Sequence, residues 1–167
     1  MLTALLDPKS IAVVGASPRE NTAGYDVLRQ IIDFGYTGDL YPINPKYSEI
    51  LGRQCYASLN DIVGMAEHVV VCVANEHIES EIDKVISCGA KAATIFASAY
   101  ILDDTSPTLP ERIQVKLREN GIALCGANSM GFLNLEKRVA VSWFPFENRG
   151  LVNRDDLPFR RDFVMPT

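Results

Sequence analysis

Long apolar runs are missing from this sequence: nowhere do about eighteen apolar residues stand together, so no segment reads as a membrane span. The opening stretch, Met1-Leu2-Thr3-Ala4-Leu5-Leu6-Asp7, has no basic n-region and no apolar core of leader length, which excludes a secretory signal pattern. These two absences point to a soluble, cytoplasmic protein. Positive charge is short as well. With 16 Lys and Arg against 21 Asp and Glu, the net charge is -5, and no broad basic face is available to release counterions from a nucleic acid. Histidine and cysteine are few and scattered. Cys55, Cys72, Cys88 and Cys125 show no paired spacing, and His68 and His77 do not join them at metal-ligand intervals, so neither a metal site nor a disulfide framework is expected. The thiols read as buried or reduced side chains. No serine nucleophile motif, paired-carboxylate site or Walker lysine occurs, and no catalytic residue is assigned.

What is present is apolar content arranged in layers. At 167 residues and 47% hydrophobic composition, the chain is long enough for one domain with a real core. Its most informative segment is Gly15-Ala16-Ser17-Pro18-Arg19-Glu20-Asn21-Thr22-Ala23-Gly24. This follows the buried-strand signal Ile11-Ala12-Val13-Val14 and leads into Tyr25, Val27, Leu28, Ile31 and Ile32, spaced along one face of a helix. Strand, glycine loop and helix start form an anion-binding device, because the first-turn amides lack internal partners and carry the positive end of the helix dipole.

The same alternation continues down the chain. Phe34-Gly35 reads as a helix end, and Asp39 to Asn44 as a second strand whose proline marks an edge. A short helix opens at Ser58 with Asp61 as its capping partner. His68 to Val73 forms a strand covered on both faces, with His68 as a strand-edge residue, and Ile78, Ile82, Val85 and Ile86 line a helix closed by Gly89. Ala92 to Phe96 is the next strand. A helix then starts near Pro107 or Pro110, carries Ile113 and Leu117 and closes at Gly121, before the strand Ile122 to Cys125. The expected fold is α/β: a Rossmann-like doubly wound parallel sheet of about five to six strands with helices on both faces. Ligands of such folds bind outside the carboxyl ends of the strands, where Cys125 also ends. Residues 1–141 are read as this domain. Beyond Asn134 the periodicity fades, and residues 142–167, with Trp143-Phe144-Pro145-Phe146 and a mixed-charge stretch, are read as a connector toward an absent second domain.

The loop spacing narrows the ligand. A nicotinamide fingerprint is Gly-x-Gly-x-x-Gly, whereas Gly15 and Gly24 stand nine positions apart. An NAD site places an acidic residue about 20 residues further on to meet the ribose hydroxyl, but this chain has Asn44-Pro45-Lys46 there. A cation at that place suits a phosphorylated ribose, either a 3′-phosphorylated adenosine or NADP. Arg19 and Lys46 are the local positive charges.

Three segments carry a family resemblance: Ser10-Ile11-Ala12-Val13-Val14-Gly15-Ala16-Ser17, Tyr41-Pro42-Ile43-Asn44-Pro45-Lys46, and Gly126-Ala127-Asn128-Ser129-Met130-Gly131-Phe132. Together they resemble the N-terminal coenzyme A-binding domain of NDP-forming acyl-CoA synthetases. That group includes ADP-forming acetate–CoA ligases and is related to the succinyl-CoA synthetase alpha subunit. The resemblance runs in order from about Leu6 to Asn134. It implies coenzyme A as the cofactor, with Ser17, Arg19 and Gly24 along its phosphates, Lys46 toward the adenosine or its phosphate, and Gly15, Ala16 and Asn44 also among the cofactor-binding residues. By the same resemblance Val73, Ala74 and Asn75 hold the adenine side, Ser98 and Ala99 border the pantetheine arm, and Asn128 stands near the thiol end.

The chain departs from the family pattern at three points. Ala127 stands in place of a proline, Ser129 of a cysteine and Ala74 of a proline, which loosens the loops. The resemblance further implies a reaction in which carboxylate, coenzyme A and ATP give acyl-CoA, ADP and phosphate, through a phosphohistidine and an ATP-grasp domain. Neither element is present, so the chain is expected to be inactive as a ligase alone, with succinyl-CoA-synthetase-like and ATP-grasp domains or subunits as partners. His77, on the ligand side, is placed to touch adenine. The alternatives are a stand-alone coenzyme A-binding regulatory protein and an NADP-binding oxidoreductase domain.

Overall fold

Ser10–Val14 (β1) is buried at every position, as its run of small and β-branched residues requires of a strand covered on both faces. The computed structural model describes residues 2–144 and places a short helix, Leu2–Leu6 (α1), ahead of that strand. After it come the helix Ala23–Asp33 (α2), the strand Asp39–Ile43 (β2) and a small hairpin, Glu49–Ile50 (β3) with Arg53–Gln54 (β4). A 3-10 turn, Leu59–Ile62, leads to the strand His68–Val71 (β5), the helix Asn75–Ser87 (α3) and the strand Ala92–Ile95 (β6). The helix Leu109–Glu119 (α4), the strand Ala123–Cys125 (β7) and the hairpin Phe132–Asn134 (β8) with Val139–Val141 (β9) complete the order.

The central sheet has five parallel strands in the order β2-β1-β5-β6-β7. Chain direction across the sheet reverses between β1 and β5: β1 leads outward to β2, while β5 leads the other way to β6 and β7. That reversal leaves a gap between the loops at the carboxyl ends of β1 and β5. β2 lies at an edge, where Pro42 removes no needed ladder donor. The helices α3 and α4 and the 3-10 turn bury Ile78, Ile82, Ile113, Leu117 and Leu59 against one face. On the other face α2 buries Val27, Leu28 and Ile31 against Ile11, Val13 and Val70. Helices therefore cover both faces, as expected of a doubly wound sheet.

Local signals act as read. Ser58 and Asp61 form a reciprocal capping box, although the helix they open is a single 3-10 turn. α4 starts at Leu109, between the two candidate prolines, because the amide and hydroxyl of Thr108 both donate to Glu111 (2.6 and 2.9 Å).

Three readings need correction. His68 is not a strand-edge residue: it opens the central strand β5 between β1 and β6, fully buried, with Nε2 2.9 Å from Thr94 Oγ1 and its ring stacked on Phe132. Order does not fade beyond Asn134 either. Val139, Ala140 and Val141 form β9, and Val139 and Val141 pack on the α2 layer. Strands β5 and β6 also end at Val71 and Ile95, so Cys72, Val73 and Phe96 already belong to the loops. Of the proposed connector, Ser142 is buried, with its hydroxyl donating to the Met130 carbonyl (3.1 Å), and Trp143 and Phe144 are partly exposed. Residues 145–167 lie outside the described residues.

Candidate functional site

The glycine loop is built by close backbone approach. Gly15 adopts a positive φ of 79° and its amide donates to the Ile43 carbonyl (3.0 Å), which ties the end of β1 to the end of β2. A side chain on Gly24 would overlap the carbonyl oxygen of Gly15, so only glycine lets α2 begin directly against the strand end. Ser17 is buried and its hydroxyl accepts from the Arg19 amide (3.0 Å). Thr22, the residue before α2, turns its hydroxyl back to the Arg19 carbonyl (2.7 Å) and makes no side-chain cap. The Tyr25 and Asp26 amides reach the Thr22 carbonyl (both 2.9 Å), while those of Ala23 and Gly24 have no partner among the described residues. The start of α2 thus offers free donors at the positive end of its dipole.

Those donors open into a crevice of about 350 Å³ lined by Gly15, Ser17, Arg19, Gly24, Lys46 and Tyr47, with Thr22, Ala23, Asn44 and Cys72 completing it. Arg19 and Lys46 are exposed and, among the described residues, take part in no salt bridge. Two uncommitted cations and a helix start therefore face one cavity of a chain that is acidic overall. Burial pushes the Cys72 thiol up to about 12, so at neutral pH it lines the crevice in its protonated form.

A second hollow of about 250 Å³ lies at the loop after β6, lined by Ser98, Ala99, Tyr100, Ile101, Asp104 and Thr108. Asn75, at the first turn of α3, holds this loop. Its Nδ2 donates to the Tyr100 carbonyl (2.7 Å) and to Ser98 Oγ (3.3 Å), and its Oδ1 accepts from the Ala99 amide (3.1 Å). Ala99 is fully buried with φ 55°. Asn44 does similar work at the first crevice: Nδ2 donates to the Ala16 carbonyl (2.7 Å) and Oδ1 accepts from the Lys46 amide (3.0 Å).

The residues singled out from sequence therefore divide. Gly15, Ser17, Arg19, Gly24, Asn44 and Lys46 converge on the first crevice, and Ser98 and Ala99 on the second hollow. Val73, Ala74 and Asn75 sit between them at the start of α3, lining neither. The Ala16 methyl is buried in the core and only its carbonyl faces Asn44. Asn128 lies on the loop after β7, its amide donating to the Ala97 carbonyl (2.8 Å). Thr22, Ala23 and Tyr47 lie inside the ligand-side stretches Gly15 to Gly24 and Asn44 to Tyr47 that sequence reasoning marks without singling them out, while Cys72, where β5 gives way to loop, is missed. His77 is exposed on α3, and His68 is at the amino end of β5, away from both hollows. Among the described residues no helix is long and apolar enough to cross a membrane.

A parallel sheet with a reversal point, a glycine loop against an uncapped helix and two free cations define a domain that binds a phosphorylated nucleotide-type ligand. The sequence profile described as a CoA binding domain matches residues 9–134. The chain belongs to that family, and coenzyme A is its cofactor.

The chain is 32% identical over 127 residues to an ADP-forming acetate–CoA ligase of Methanocaldococcus jannaschii, covering 76% of this chain and 18% of the ligase. In structure it resembles the dinucleotide-forming acetyl-coenzyme A synthetase 1 of Ca. Korarchaeum cryptofilum, solved with phosphate and ADP. There the TM-score is 0.80 at 29% identity, over 87% of this chain and 31% of that one. A hypothetical protein of Pyrococcus horikoshii OT3 matches with a TM-score of 0.60 and 31% identity, over 73% of this chain and 78% of its own. The chain thus spans about a fifth of the curated ligase and a third of the synthetase.

Proposed function

We propose that this chain is the coenzyme A-binding part of an NDP-forming acyl-CoA synthetase, in which carboxylate, coenzyme A and ATP become acyl-CoA, ADP and phosphate. Its contribution is positioning: the thiol of coenzyme A is the acyl acceptor, and a fixed cofactor turns its attack into an effectively unimolecular step. The observation that supports this most is the crevice itself, where the free amides of Ala23 and Gly24 meet Arg19 and Lys46. Arg19 and the helix start are assigned to the diphosphate, Lys46 to the 3′-phosphate, and the hollow at Ser98 and Ala99 to the pantetheine side. Phosphoryl transfer is assigned to succinyl-CoA-synthetase-like and ATP-grasp domains or subunits. Four free cysteines suit a reducing, cytoplasmic setting.

Calorimetric titration with coenzyme A and with dephospho-coenzyme A tests the assignment. The expected result is binding of both, with the dephospho form weaker by about tenfold, as loss of one charge-assisted contact gives. Equal affinities would remove Lys46 from its role. A second reading, a stand-alone coenzyme A-binding regulatory protein, is favoured by the likeness to the Pyrococcus horikoshii protein, most of whose length this chain covers. Acyl-CoA formation after mixing with ATP-grasp and succinyl-CoA-synthetase-like partners separates the two.

A further inference from the structure

The loops at the carboxyl ends of the five strands fall into two sets, each tied together from within. The glycine loop after β1 and the loop after β2 are joined by Asn44, through the Ala16 carbonyl and the Lys46 amide. The start of α3 and the loop after β6 are joined by Asn75, through Ser98, Ala99 and Tyr100. The loop after β7 belongs to the second set, since the Asn128 amide donates to the Ala97 carbonyl and the Ser129 amide to the Ile95 carbonyl (2.8 and 3.4 Å). Among the described residues the last hydrogen bond between the sets is the ladder bond from the Cys72 amide to the Val14 carbonyl (2.9 Å). Past it lies the seam where the chain reverses direction across the sheet.

Asn75 is fully committed, whereas Asn44 lines the first crevice and keeps one Nδ2 hydrogen free beside its bonds to Ala16 and Lys46. Both Nδ2 hydrogens of Asn75 and one lone pair of its Oδ1 meet protein atoms, and the side chain lines neither hollow. A side chain amide with its donors used has no hydrogen left for a ligand. What it does instead is hold Ala99, a non-glycine residue at positive φ, in a conformation that an unsupported loop would leave.

We infer that Asn75 is a positioning residue rather than a ligand contact, and that the two asparagines each lock one wall of the coenzyme A crevice: Asn44, itself part of the lining, the wall that takes the phosphorylated adenosine end, Asn75 the wall along the pantetheine arm. This rests on the functional reading above and adds to it a division of labour between two walls. A ligand that touches one wall alone senses one asparagine. A ligand that crosses the seam senses both.

The test uses the whole chain, with coenzyme A and adenosine 3′,5′-bisphosphate as separate probes in calorimetry. If the unaltered chain binds neither, the functional reading fails before the asparagines are examined. If it binds, Asn75→Ala is expected to weaken coenzyme A by roughly tenfold and leave the bisphosphate within about twofold, as loss of two or three neutral hydrogen bonds implies. Asn44→Ala is expected to weaken both probes by the same factor. Hydrogen exchange of the ligand-free protein supplies the readout for positioning: the amides of Ala99 and Tyr100 should exchange faster in Asn75→Ala, and that of Lys46 in Asn44→Ala. Equal weakening of both probes by Asn75→Ala would overturn the inference. So would a loss of affinity with unchanged exchange in the free protein, which marks a direct contact. Should Asn75→Ala fail to fold, Asn75→Asp keeps the acceptor for Ala99 and removes both donors, and the same outcomes decide.

Discussion

His68 carries a penalty visible in a single side chain, a buried polar atom without a partner. Its Nε2 has Thr94, but Nδ1 is buried with no partner, so one ring nitrogen is unsatisfied in either tautomer. Burial holds its value down to about 3 from the ordinary 6.5. Above pH 6.5 the ring is neutral in the folded and unfolded chain alike, and stability does not depend on it. Between 6.5 and about 3 only the unfolded chain takes the proton, so stability falls as pH falls, by about 1.4 kcal/mol per pH unit from this group. Urea unfolding at pH 7 and pH 5 should therefore show a large acid loss in the native protein and a smaller one in His68→Leu. Equal losses would place the acid sensitivity elsewhere than His68; Glu79, which the Arg112 guanidinium holds below the usual carboxylate range, keeps its contribution across this window and loses it only at lower pH.

At the scale of elements, the β8–β9 hairpin is, with the β3–β4 hairpin and α1, a piece that a strand-helix alternation does not announce. Val139 and Val141 are buried against the α2 layer. Replacing Val141 by Ala removes two buried methyl groups and leaves a void, an expected cost of about 2 kcal/mol in urea unfolding. A change within about 0.5 kcal/mol, the range of surface substitutions, would mean the hairpin is only draped on the domain.

The five sheet strands and three long helices were legible because each carries an unbroken apolar run or a helical stripe, and because Gly35, Gly89 and Gly121 end the helices. The β8–β9 hairpin was not, because Val139-Ala140-Val141 is too short to display a period and follows the charged Glu136-Lys137-Arg138, whereas the equally short β7 follows a helix closed by Gly121. α1 escaped for its shortness too. The burial of His68 was hidden because polarity at a strand start reads as an edge, and only the packing of Phe132 over it reveals otherwise. At the site, the loop and Lys46 were visible through glycine spacing and charge. That Asn44 and Asn75 bind the protein's own loops was not, since an asparagine at a strand end has the same letter whichever atoms it meets.

For the whole molecule, charge is the deciding quantity. A chain of net charge -5 repels a polyanion at long range and must attract it at short range through Arg19, Lys46 and the start of α2. Added salt screens both, but the short-range attraction involves exposed side chains and dominates once the ligand is seated. Coenzyme A affinity is expected to fall with rising sodium chloride, and the slope to flatten in an Arg19→Gln, Lys46→Gln double variant that binds at least tenfold more weakly. An affinity in the unaltered chain that ignores salt would mean that contacts with the apolar arm, not the phosphates, carry the binding.

The inward turn of the Thr22 hydroxyl toward Arg19 reaches into how the protein is handled. Because that oxygen does not close the helix it precedes, any small oxyanion in solution is a competent substitute for the missing cap. Phosphate or sulfate used as buffer or precipitant would occupy the seat, stiffen the first turn and make the cofactor look weaker than it is. Titrations belong in a medium whose anions are too large or too diffuse in charge to sit there.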